Sequence, residues 1–324
     1  MSRFFAFQIF NNIAFIYEQN SYHIGMIGFY NINKPVGPTS HSVVYKIKRQ
    51  LPGRKTKVGH AGTLDPFASG VLIVCVGGAT RIAQYVQSQP KRYTADITLG
   101  KISTTADPEG EITDVEFDKI PSLEDVQNAI PQFVGKIMQV PPIHSAIQID
   151  GVRAYQLARA GEDIELPARE IEIYEINVLD YQFPKLTIDV KCGSGTYIRS
   201  LARDIGQVLG TGGYCSGLVR TEIGKFKLEN AIDLKLTDPQ GQLENPADYL
   251  DWPVIEVSDE EQYQLFVGVA QKLPAPMKQG EQVFLVDTAK NLIGIGIVKE
   301  DGLSAHPRRV FIPRQEKHNR PQNQ

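Results

Sequence analysis

A glycine-rich segment, Gly59–Gly70, runs directly into the apolar stretch Val71–Val76, and this junction constrains the fold more than any other part of the sequence. Six consecutive apolar residues that follow a glycine are typical of a buried strand. Further strands are predicted at Gly28–Asn33, Tyr93–Leu99 and Lys185–Lys191. The chain is therefore predicted to build a sheet around a loop that is rich in glycine.

Two amphipathic helices are interleaved with these strands. The first is capped by Ser40, stops at Pro52-Gly53 and presents one apolar face, formed by Val43, Val44, Ile47 and Leu51. The second spans Thr196–Leu209, terminates at Gly210 and presents another, formed by Ile198, Leu201, Ala202, Ile205 and Leu209. Helices interleaved with strands predict a mixed sheet with helices beside it.

The length of 324 residues exceeds one ordinary domain, so a second, smaller domain is expected. The composition changes around Asp251–Pro253. Beyond it, a turn at Asp287–Asn291 and three short strands predict a β-rich domain of about 60 residues: Val283–Val286, Leu292–Val298 and Arg309–Ile312. At the chain ends, residues 1–25 are interpreted as an extension or a misassigned start, and the polar tail 315–324 as disordered.

The net charge of −3 hides a segregation of charge along the chain. Residues 26–101 carry 11 Lys and Arg against 2 Asp and Glu, and residues 191–227 carry 6 against 2. Between them, residues 102–190 carry 6 against 17. Such runs are often solvated faces, but two basic blocks that fold together would form a surface suited to a polyanion.

Composition and motifs exclude several classes of protein. A hydrophobic content of 42% excludes a wholly disordered chain, and no window reaches the roughly 20 apolar residues that cross a bilayer. Three cysteines without a CxxC pair argue against a disulfide framework or structural zinc, and favour a soluble protein of the cytoplasm. Phosphate-loop, dinucleotide, HExxH and GxSxG motifs are absent, which argues against ATP-driven, nicotinamide-dependent and metal-hydrolytic functions.

Asp65 is the strongest candidate for chemistry. It is one of only two acids in the basic block 26–101, it lies in the glycine-rich loop, and Pro66 restricts its backbone. An Asp-Pro pair is most often a plain turn. A carboxylate surrounded by cations would however be kept ionised, and an ionised, positioned carboxylate can act as a nucleophile.

Residues 26–227 also carry a series of short motifs in a fixed order. By these motifs the chain resembles the TruB family of bacterial tRNA pseudouridine synthases: Gly28–Pro35, Thr39–His41, Gly59–Gly70, Lys91–Tyr93, Thr104–Gly110, Pro141–Ala146, Gly151–Tyr155, Gly195–Arg199 and Leu218–Arg220. Each motif is weak alone, but together they are specific. Val219 stands where the family usually has arginine, and the role of His144 is open.

The resemblance implies an α+β pseudouridine synthase fold, with a central mixed, largely antiparallel sheet flanked by helices. The catalytic domain would span 26–249 with an RNA-contacting insert at about 140–170, and a PUA-like β-barrel domain that binds RNA would span 250–314. The implied activity is isomerisation of the T-loop uridine at position 55 of tRNA to pseudouridine. The enzyme would need no cofactor and no obligatory protein partner, would bind the T-arm stem-loop and would be a monomer.

The resemblance also assigns roles to individual residues. Asp65 would be the nucleophile, attacking either the ribose C1′ or the pyrimidine C6. Tyr93 would stack on the flipped base and remove the C5 proton, and Arg199 would pair with Asp65. The remaining residues would line or support the site: Tyr197 and Leu218 in the pocket, His60 against the RNA stem-loop, and Lys34 behind the loop. On spacing alone, Tyr93 would be interpreted as a core residue and Arg199 as a solvated one, and the motif around Asp65 favours the functional roles instead.

Three alternatives stay open. The chain could be a guide-RNA-dependent synthase subunit that requires partner proteins. It could be an RNA-binding or RNA-folding protein on the same fold that has no essential catalysis. It could also be a carboxylate hydrolase of the glycosidase type, which would need a second acid about 5–10 Å from Asp65, with Asp96 and Asp107 as candidates.

Overall fold

A computed structural model describes residues 26–52, 56–143, 148–149, 152–153 and 166–311. The extension 1–25, most of the insert predicted at 140–170, His144 and the tail 315–324 lie outside the described residues. The helices are α1 (Ser40–Gln50), α2 (Ala83–Gln87), α3 (Leu123–Ala129), α4 (Ile198–Val208) and α5 (Asp259–Phe266). Four 3-10 helices lie at Gly77–Arg81, Ile130–Phe133, Leu228–Asn230 and Pro246–Asp248.

Strands β1–β9 precede or lie within the insert: β1 (Gly28–Lys34), β2 (Val58–His60), β3 (Ser69–Val76), β4 (Lys91–Leu99), β5 (Lys101–Ser103), β6 (Ile112–Asp114), β7 (Gly135–Gln139), β8 (Gln148–Ile149) and β9 (Val152–Arg153). Strands β10–β18 follow it: β10 (Arg169–Gln182), β11 (Lys185–Cys192), β12 (Gly213–Ile223), β13 (Phe226–Lys227), β14 (Val254–Glu256), β15 (Gln271–Lys272), β16 (Gln282–Val286), β17 (Leu292–Val298) and β18 (Ser304–Val310).

The main sheet has nine strands in the order β1-β3-β12-β4-β11-β10-β7, with β2 beside β3 and β13 beside β12. All of its pairings are antiparallel except β3 with β12, where Gly70 lies opposite Arg220. Gly70 has a φ of +102°, and a Cβ there would lie 2.2 Å from the Arg220 carbonyl oxygen. Only glycine permits this approach. The predicted mixed, largely antiparallel sheet in an α+β fold is confirmed.

Strand β3 shows why its sequence is continuously apolar. Successive side chains of a strand point to opposite faces, and both faces of β3 are covered. Leu72 and Val74 join a core cluster with the buried face of α1, whereas Ile73 and Cys75 join a cluster with the C-terminal sheet. Farther along the main sheet, α4 buries its apolar face in a core cluster with side chains of β4 and β11.

The C-terminal residues form a five-stranded sheet in the order β14-β16-β17-β18-β15, as the β-rich texture predicts. The turn before β17 is present, and Lys290 adopts a φ of +66° in it. Trp252 joins this sheet to the first part of the chain, because its ring lies 4.8 Å from that of Phe284 and 4.6 Å from that of Tyr85. The two sheets therefore share one apolar cluster.

Several of the predicted elements need correction. Helix α1 is capped by Thr39, whose side chain accepts a hydrogen bond from the Ser42 N–H at 3.1 Å, so Ser40 is the first helical residue. Helix α4 begins two residues later than predicted, at Ile198. The long strands β10 and β12 were not predicted, and the strand expected at Arg309–Ile312 is instead Ser304–Val310.

Two further features bear on the chemistry of the chain. All three cysteines, Cys75, Cys192 and Cys215, are free thiols in the core. Within the described ranges, no helix is long and apolar enough to cross a membrane.

Candidate active site

The loop between β2 and β3 carries Asp65 and is fixed on both sides of that residue. Before it, the Ser40 hydroxyl accepts a hydrogen bond from the Leu64 N–H and donates one to the Leu64 carbonyl, both at 2.8 Å. After it, the Pro66 carbonyl accepts from the Gly37 N–H at 2.8 Å. The first turn of α1 and the loop that carries Asp65 are thereby held as one block.

Lys34 lies behind this loop, as the resemblance implies. Its side chain is fully buried, and its Nζ donates to the carbonyls of Pro35 at 2.9 Å, Pro38 at 2.8 Å and Pro66 at 3.4 Å. Burial lowers the pKa of the Lys34 ammonium to about 8, against the attraction of Asp65. Lys34 therefore shapes the loop from beneath and does not line the cavity in front of it.

Arg199, on α4, connects two carboxylates. Its Nε lies 3.0 Å from Oδ2 of Asp65, and its Nη1 lies 2.7 Å from Oδ2 of Asp107. The Arg199 guanidinium is 6% exposed and the Asp107 side chain 3%, whereas Asp65 keeps 35% of its surface open. Thr105 and the Glu109 N–H hold the other oxygen of Asp107. Arg199 is thus anchored from behind and presents Asp65 outward.

The pKa of Asp65 departs from the expectation drawn from its basic neighbourhood. Burial raises this pKa above its ordinary value, and the repulsion of Asp107 adds to the increase. Arg199, Arg220 and Lys34 act in the opposite direction but do not outweigh burial. The carboxylate is held in place by Arg199 yet is less strongly ionised than a solvated aspartate.

Arg220 is a central residue of the site that the sequence analysis noted only within a motif. Its buried guanidinium donates to the carbonyls of Val71 at 2.8 Å, Gly62 at 3.2 Å and Thr63 at 3.2 Å. In the sheet it lies opposite Tyr93. Burial raises the pKa of Tyr93, while the charge of Arg220 and a hydrogen bond from it act against that increase. Arg220 therefore joins the catalytic loop to the aromatic wall.

A cavity of about 490 Å³ opens in front of Asp65, which is within the usual size of small-ligand sites. Five of the predicted residues line it: Asp65, Tyr93, Tyr197, Arg199 and Leu218. Among the residues that the structure describes, Asp65 is the only carboxylate in its wall. The wall also contains polar residues that the sequence analysis did not single out, Gln84, Gln87 and Ser88, and Lys91, which it noted only within a motif.

The segment before α4 is positioned by Gln139, at the end of β7. The Gln139 side chain accepts from the Tyr197 N–H at 2.9 Å and donates to the Tyr197 carbonyl at 3.1 Å. This pair of bonds holds Tyr197 in extended backbone, so the helix starts after it. No sequence signal pointed to Gln139, because its partner lies 58 residues away.

His60 lies in β2 and outside the wall of the cavity. Its Nδ1 is buried and has no hydrogen-bond partner within the described ranges. Burial lowers the pKa of the His60 imidazole, and the nearby charges of Arg220 and His41 add to this effect. The imidazole is therefore favoured in its neutral form.

The arrangement does not support the carboxylate-hydrolase alternative. Asp107 also contacts Arg199, but it is buried in that salt bridge. Asp96 lies outside the cavity wall, where it accepts a hydrogen bond of 2.8 Å from Thr187. Over the described ranges, no group of three or more His, Cys, Asp or Glu side chains could hold a metal ion. The chemistry that this geometry allows is nucleophilic attack by one carboxylate on a planar ligand that Tyr93 can contact.

Similarity to known proteins identifies the family of this chain. The family described as TruB family pseudouridylate synthase (N terminal domain) matches residues 48–198. A tRNA pseudouridine synthase B of Nostoc sp. (strain PCC 7120) is 50% identical over 222 residues, which are 68% of this chain and 74% of that protein. One of Acaryochloris marina is 40% identical over 286 residues, 86% of this chain and 96% of that protein. The chain belongs to the TruB family.

Solved structures extend the TruB resemblance to the fold. A chain in an H/ACA RNP bound to a substrate RNA containing 2′-deoxyuridine aligns with a TM-score of 0.64 at 26% identity, covering 89% of this chain and 86% of that one. A chain of an archaeal box H/ACA sRNP complex aligns with a TM-score of 0.62 at 26% identity, covering 90% and 88%. Both alignments include the C-terminal sheet as well as the main one, since they cover about nine-tenths of this chain.

Proposed function

We propose that this TruB family chain is a tRNA pseudouridine synthase that isomerises the uridine at position 55, in the T-loop, without a cofactor. The observation that carries the proposal is a single open carboxylate, Asp65, that faces a cavity of nucleobase size and is held by a buried arginine. The relatives at 40% and 50% identity, which are named tRNA pseudouridine synthase B, support tRNA as the substrate.

The reaction breaks the bond between C1′ and N1 of the uridine and forms a bond between C1′ and C5. The target base must first leave its stack, at a cost of a few kcal/mol that Tyr93 offsets by stacking on it. Asp65 then attacks C1′ or C6, and the base rotates before it is rejoined. Finally the C5 proton leaves and N1 gains one, so no oxidant or external group is consumed.

Two arginines, Arg199 and Arg220, position or tune the residues that act on the base. Arg199 holds the attacking oxygen of Asp65 from the side, so the carboxylate keeps one orientation during attack and release. Arg220 lies opposite Tyr93 in the sheet, and its positive charge partly offsets the rise in the pKa of Tyr93 that burial causes. Leu218 and Tyr197 complete an apolar wall that keeps water from the detached base.

We further propose that the chain acts without an obligatory protein partner, as a monomer on the T-arm stem-loop. It is 40–50% identical to the curated synthases named above but only 26% identical to the H/ACA chains, which the solved complexes show in ribonucleoproteins. This difference favours the stand-alone enzyme over a guide-RNA-dependent subunit. The C-terminal sheet, with domain bounds near 250–314, would be a PUA-like module that binds RNA outside the target loop.

The decisive experiment is tritium release from 5-tritiated uridine in a T-arm stem-loop by purified Asp65→Asn, compared with the wild-type protein. We expect loss of turnover while RNA affinity stays within severalfold, because the carboxylate acts in chemistry rather than docking. Asp96→Asn is the matched control, since that acid lies outside the cavity and should keep full activity. Turnover by Asp65→Asn above about a thousandth of the wild-type rate would remove Asp65 from the nucleophile role.

The same assay separates the enzyme from an RNA-folding protein on this fold. A folding protein would refold tRNA but release no tritium, and Asp65→Asn would leave its activity unchanged. The position of the product is read by mapping pseudouridine in full-length tRNA after reaction. Modification at a site other than 55 would contradict the substrate assignment while leaving the chemistry intact.

A further inference from the structure

The solvent-exposed face of α1 carries a stripe of residues that the proposed mechanism does not use. His41, Tyr45, Lys48 and Arg49 recur at helical spacing beside the face that is buried in the core, and all four are exposed. Tyr45 is 58% exposed, and the Arg49 guanidinium lies 5.9 Å from the centre of its ring. An exposed aromatic ring beside cations is the arrangement that single-stranded nucleic acid uses for stacking.

The cations of this stripe are not neutralised by acids. Some exposed lysines elsewhere are, as Lys101 is by Asp114 at 2.8 Å and Lys119 by Asp125 at 3.1 Å. Within the described part of the chain, no carboxylate lies within salt-bridge distance of Lys48 or Arg49. The sequence from 26 to 64 contains no acid at all. The stripe therefore keeps its full positive charge toward solvent.

The stripe is also fixed in position relative to the catalytic carboxylate. Ser40 joins the first turn of α1 to Leu64, and Lys34 joins the preceding turn to Pro66. His41, at the start of the stripe, is close enough to His60 for its charge to affect that imidazole. From there the 11 residues of α1 extend over about 16 Å. The stripe therefore begins on the helix whose first turn is bonded to the loop that carries Asp65.

We infer that the stripe His41–Tyr45–Lys48–Arg49 is a second RNA-binding surface, which holds the part of the substrate RNA adjoining the flipped uridine. Lys48 and Arg49 bind phosphates, and Tyr45 stacks on an exposed base or ribose. RNA is the occupant because an unneutralised basic and aromatic surface is complementary to a polyanion with exposed rings. This inference rests on the proposed function, which places an RNA in the adjoining cavity.

A purely structural explanation for the charges makes a different prediction. Lys48 and Arg49 lie in the last turn of α1, where positive side chains stabilise the helix dipole by about 0.3–1 kcal/mol. Such a role would change the stability of the protein but not the dependence of RNA affinity on salt. It also gives no reason for the exposed ring of Tyr45.

The test measures binding of the T-arm stem-loop across a salt series, in an Asp65→Asn background so that the RNA stays unmodified. The variants are K48A/R49A, Tyr45→Ala and Tyr45→Phe, each with folding checked by circular dichroism. The control K101A/K185A removes two lysines near the Leu99 end of β4, the end of that strand farther from Tyr93. It changes the net charge by the same amount as K48A/R49A.

We expect K48A/R49A to weaken binding about tenfold near 0.1 M salt and to reduce the magnitude of the log–log salt slope by between about 1 and 2. Tyr45→Ala should weaken binding about tenfold, whereas Tyr45→Phe keeps the ring and the affinity. The control should stay within about twofold of its parent. Affinities within twofold for both α1 variants, with an unchanged slope, would overturn the inference.

Catalysis measured separately distinguishes this inference from the proposed function. With Asp65 intact, K48A/R49A and Tyr45→Ala should need about tenfold more stem-loop to reach half of their maximal single-turnover rate, whereas K101A/K185A should behave like the wild type. If they bind normally but convert slowly, the stripe acts on the cavity and the inference is wrong. If the wild-type protein itself converts no uridine, the proposed function fails, and the salt series alone decides whether α1 binds RNA.

Discussion

Replacing Lys34 by methionine should change how the stability of the protein depends on pH. The Lys34 ammonium is fully buried and its pKa falls to about 8, while in the unfolded chain it returns to its ordinary 10.5. Below pH 8 the amine is protonated in both states, so the cost of burying the charge is fully present. Between pH 8 and 10.5 the folded protein releases the proton while the unfolded chain keeps it, so stability rises with pH.

The size of this effect follows from the two pKa values. A difference of roughly 2.5 pH units corresponds to about 3 kcal/mol, of which about 2 kcal/mol falls between pH 7.5 and 9.5. Lys34→Met removes this contribution entirely. At pH 7.5 the loss of the bonds to Pro35, Pro38 and Pro66 is offset in part by removal of the buried charge, so the variant should be only modestly destabilised.

The assay is urea unfolding of both proteins at pH 7.5, 8.5 and 9.5, followed by tryptophan fluorescence and circular dichroism. Between pH 7.5 and 9.5, the free energy of unfolding of the wild-type protein should rise by about 2 kcal/mol more than that of Lys34→Met. Lys46→Met is the control, because Lys46 is exposed on α1 and its substitution should leave a curve parallel to the wild type. If the free energies of unfolding of Lys34→Met and of the wild type change in parallel with pH, the argument that burial lowers the pKa of the Lys34 ammonium is refuted.

Two further predictions concern Arg220 and the contact between the sheets. Arg220→Lys should lower the single-turnover rate of tritium release by roughly 10- to 100-fold with little change in KM, because one ammonium cannot replace the bonds to Gly62, Thr63 and Val71. A loss confined to KM would show that Arg220 only binds RNA. Trp252→Ala should cost about 3 kcal/mol in urea unfolding, since its ring packs on Tyr85 and Phe284, while saturating stem-loop is still converted. An unchanged midpoint would show that the two sheets are energetically independent.

Strand β3 was predictable from sequence because its burial leaves a direct signal, an uninterrupted apolar run. Strand β12 was not predictable in the same way. It contains Gly213 and Gly217, and a Cβ at Gly217 would lie 2.8 Å from Oδ2 of Asp96 on the neighbouring strand. Its extended conformation comes from its place between β3 and β4, which is a long-range property. Strand β18 was displaced in the prediction because Pro307 interrupts its pattern.

The residues of the candidate site also differ in whether the sequence predicts them. Asp65 was identified from its isolation among basic residues and from the motif around it, and the geometry brings it together with Tyr93, Tyr197, Arg199 and Leu218. Asp107 was noted only within the Thr104–Gly110 motif and as a candidate second acid for the hydrolase alternative. Its importance appears only when Arg199, 92 residues away, is brought against it. Buried polar partners of this kind leave no local periodicity, so a single sequence does not reveal them.

The buried thiols have a practical consequence for experiments on this chain. Burial raises the pKa of Cys75 to about 12 and that of Cys192 to about 11, and it raises the pKa of Cys215 as well. At pH 7.5 fewer than about one in a thousand of these groups is a thiolate, and all three are shielded from reagents. The wild-type chain should therefore stay unmodified by maleimides while folded, and Tyr45→Cys would accept a single fluorophore on α1 without removal of any native cysteine.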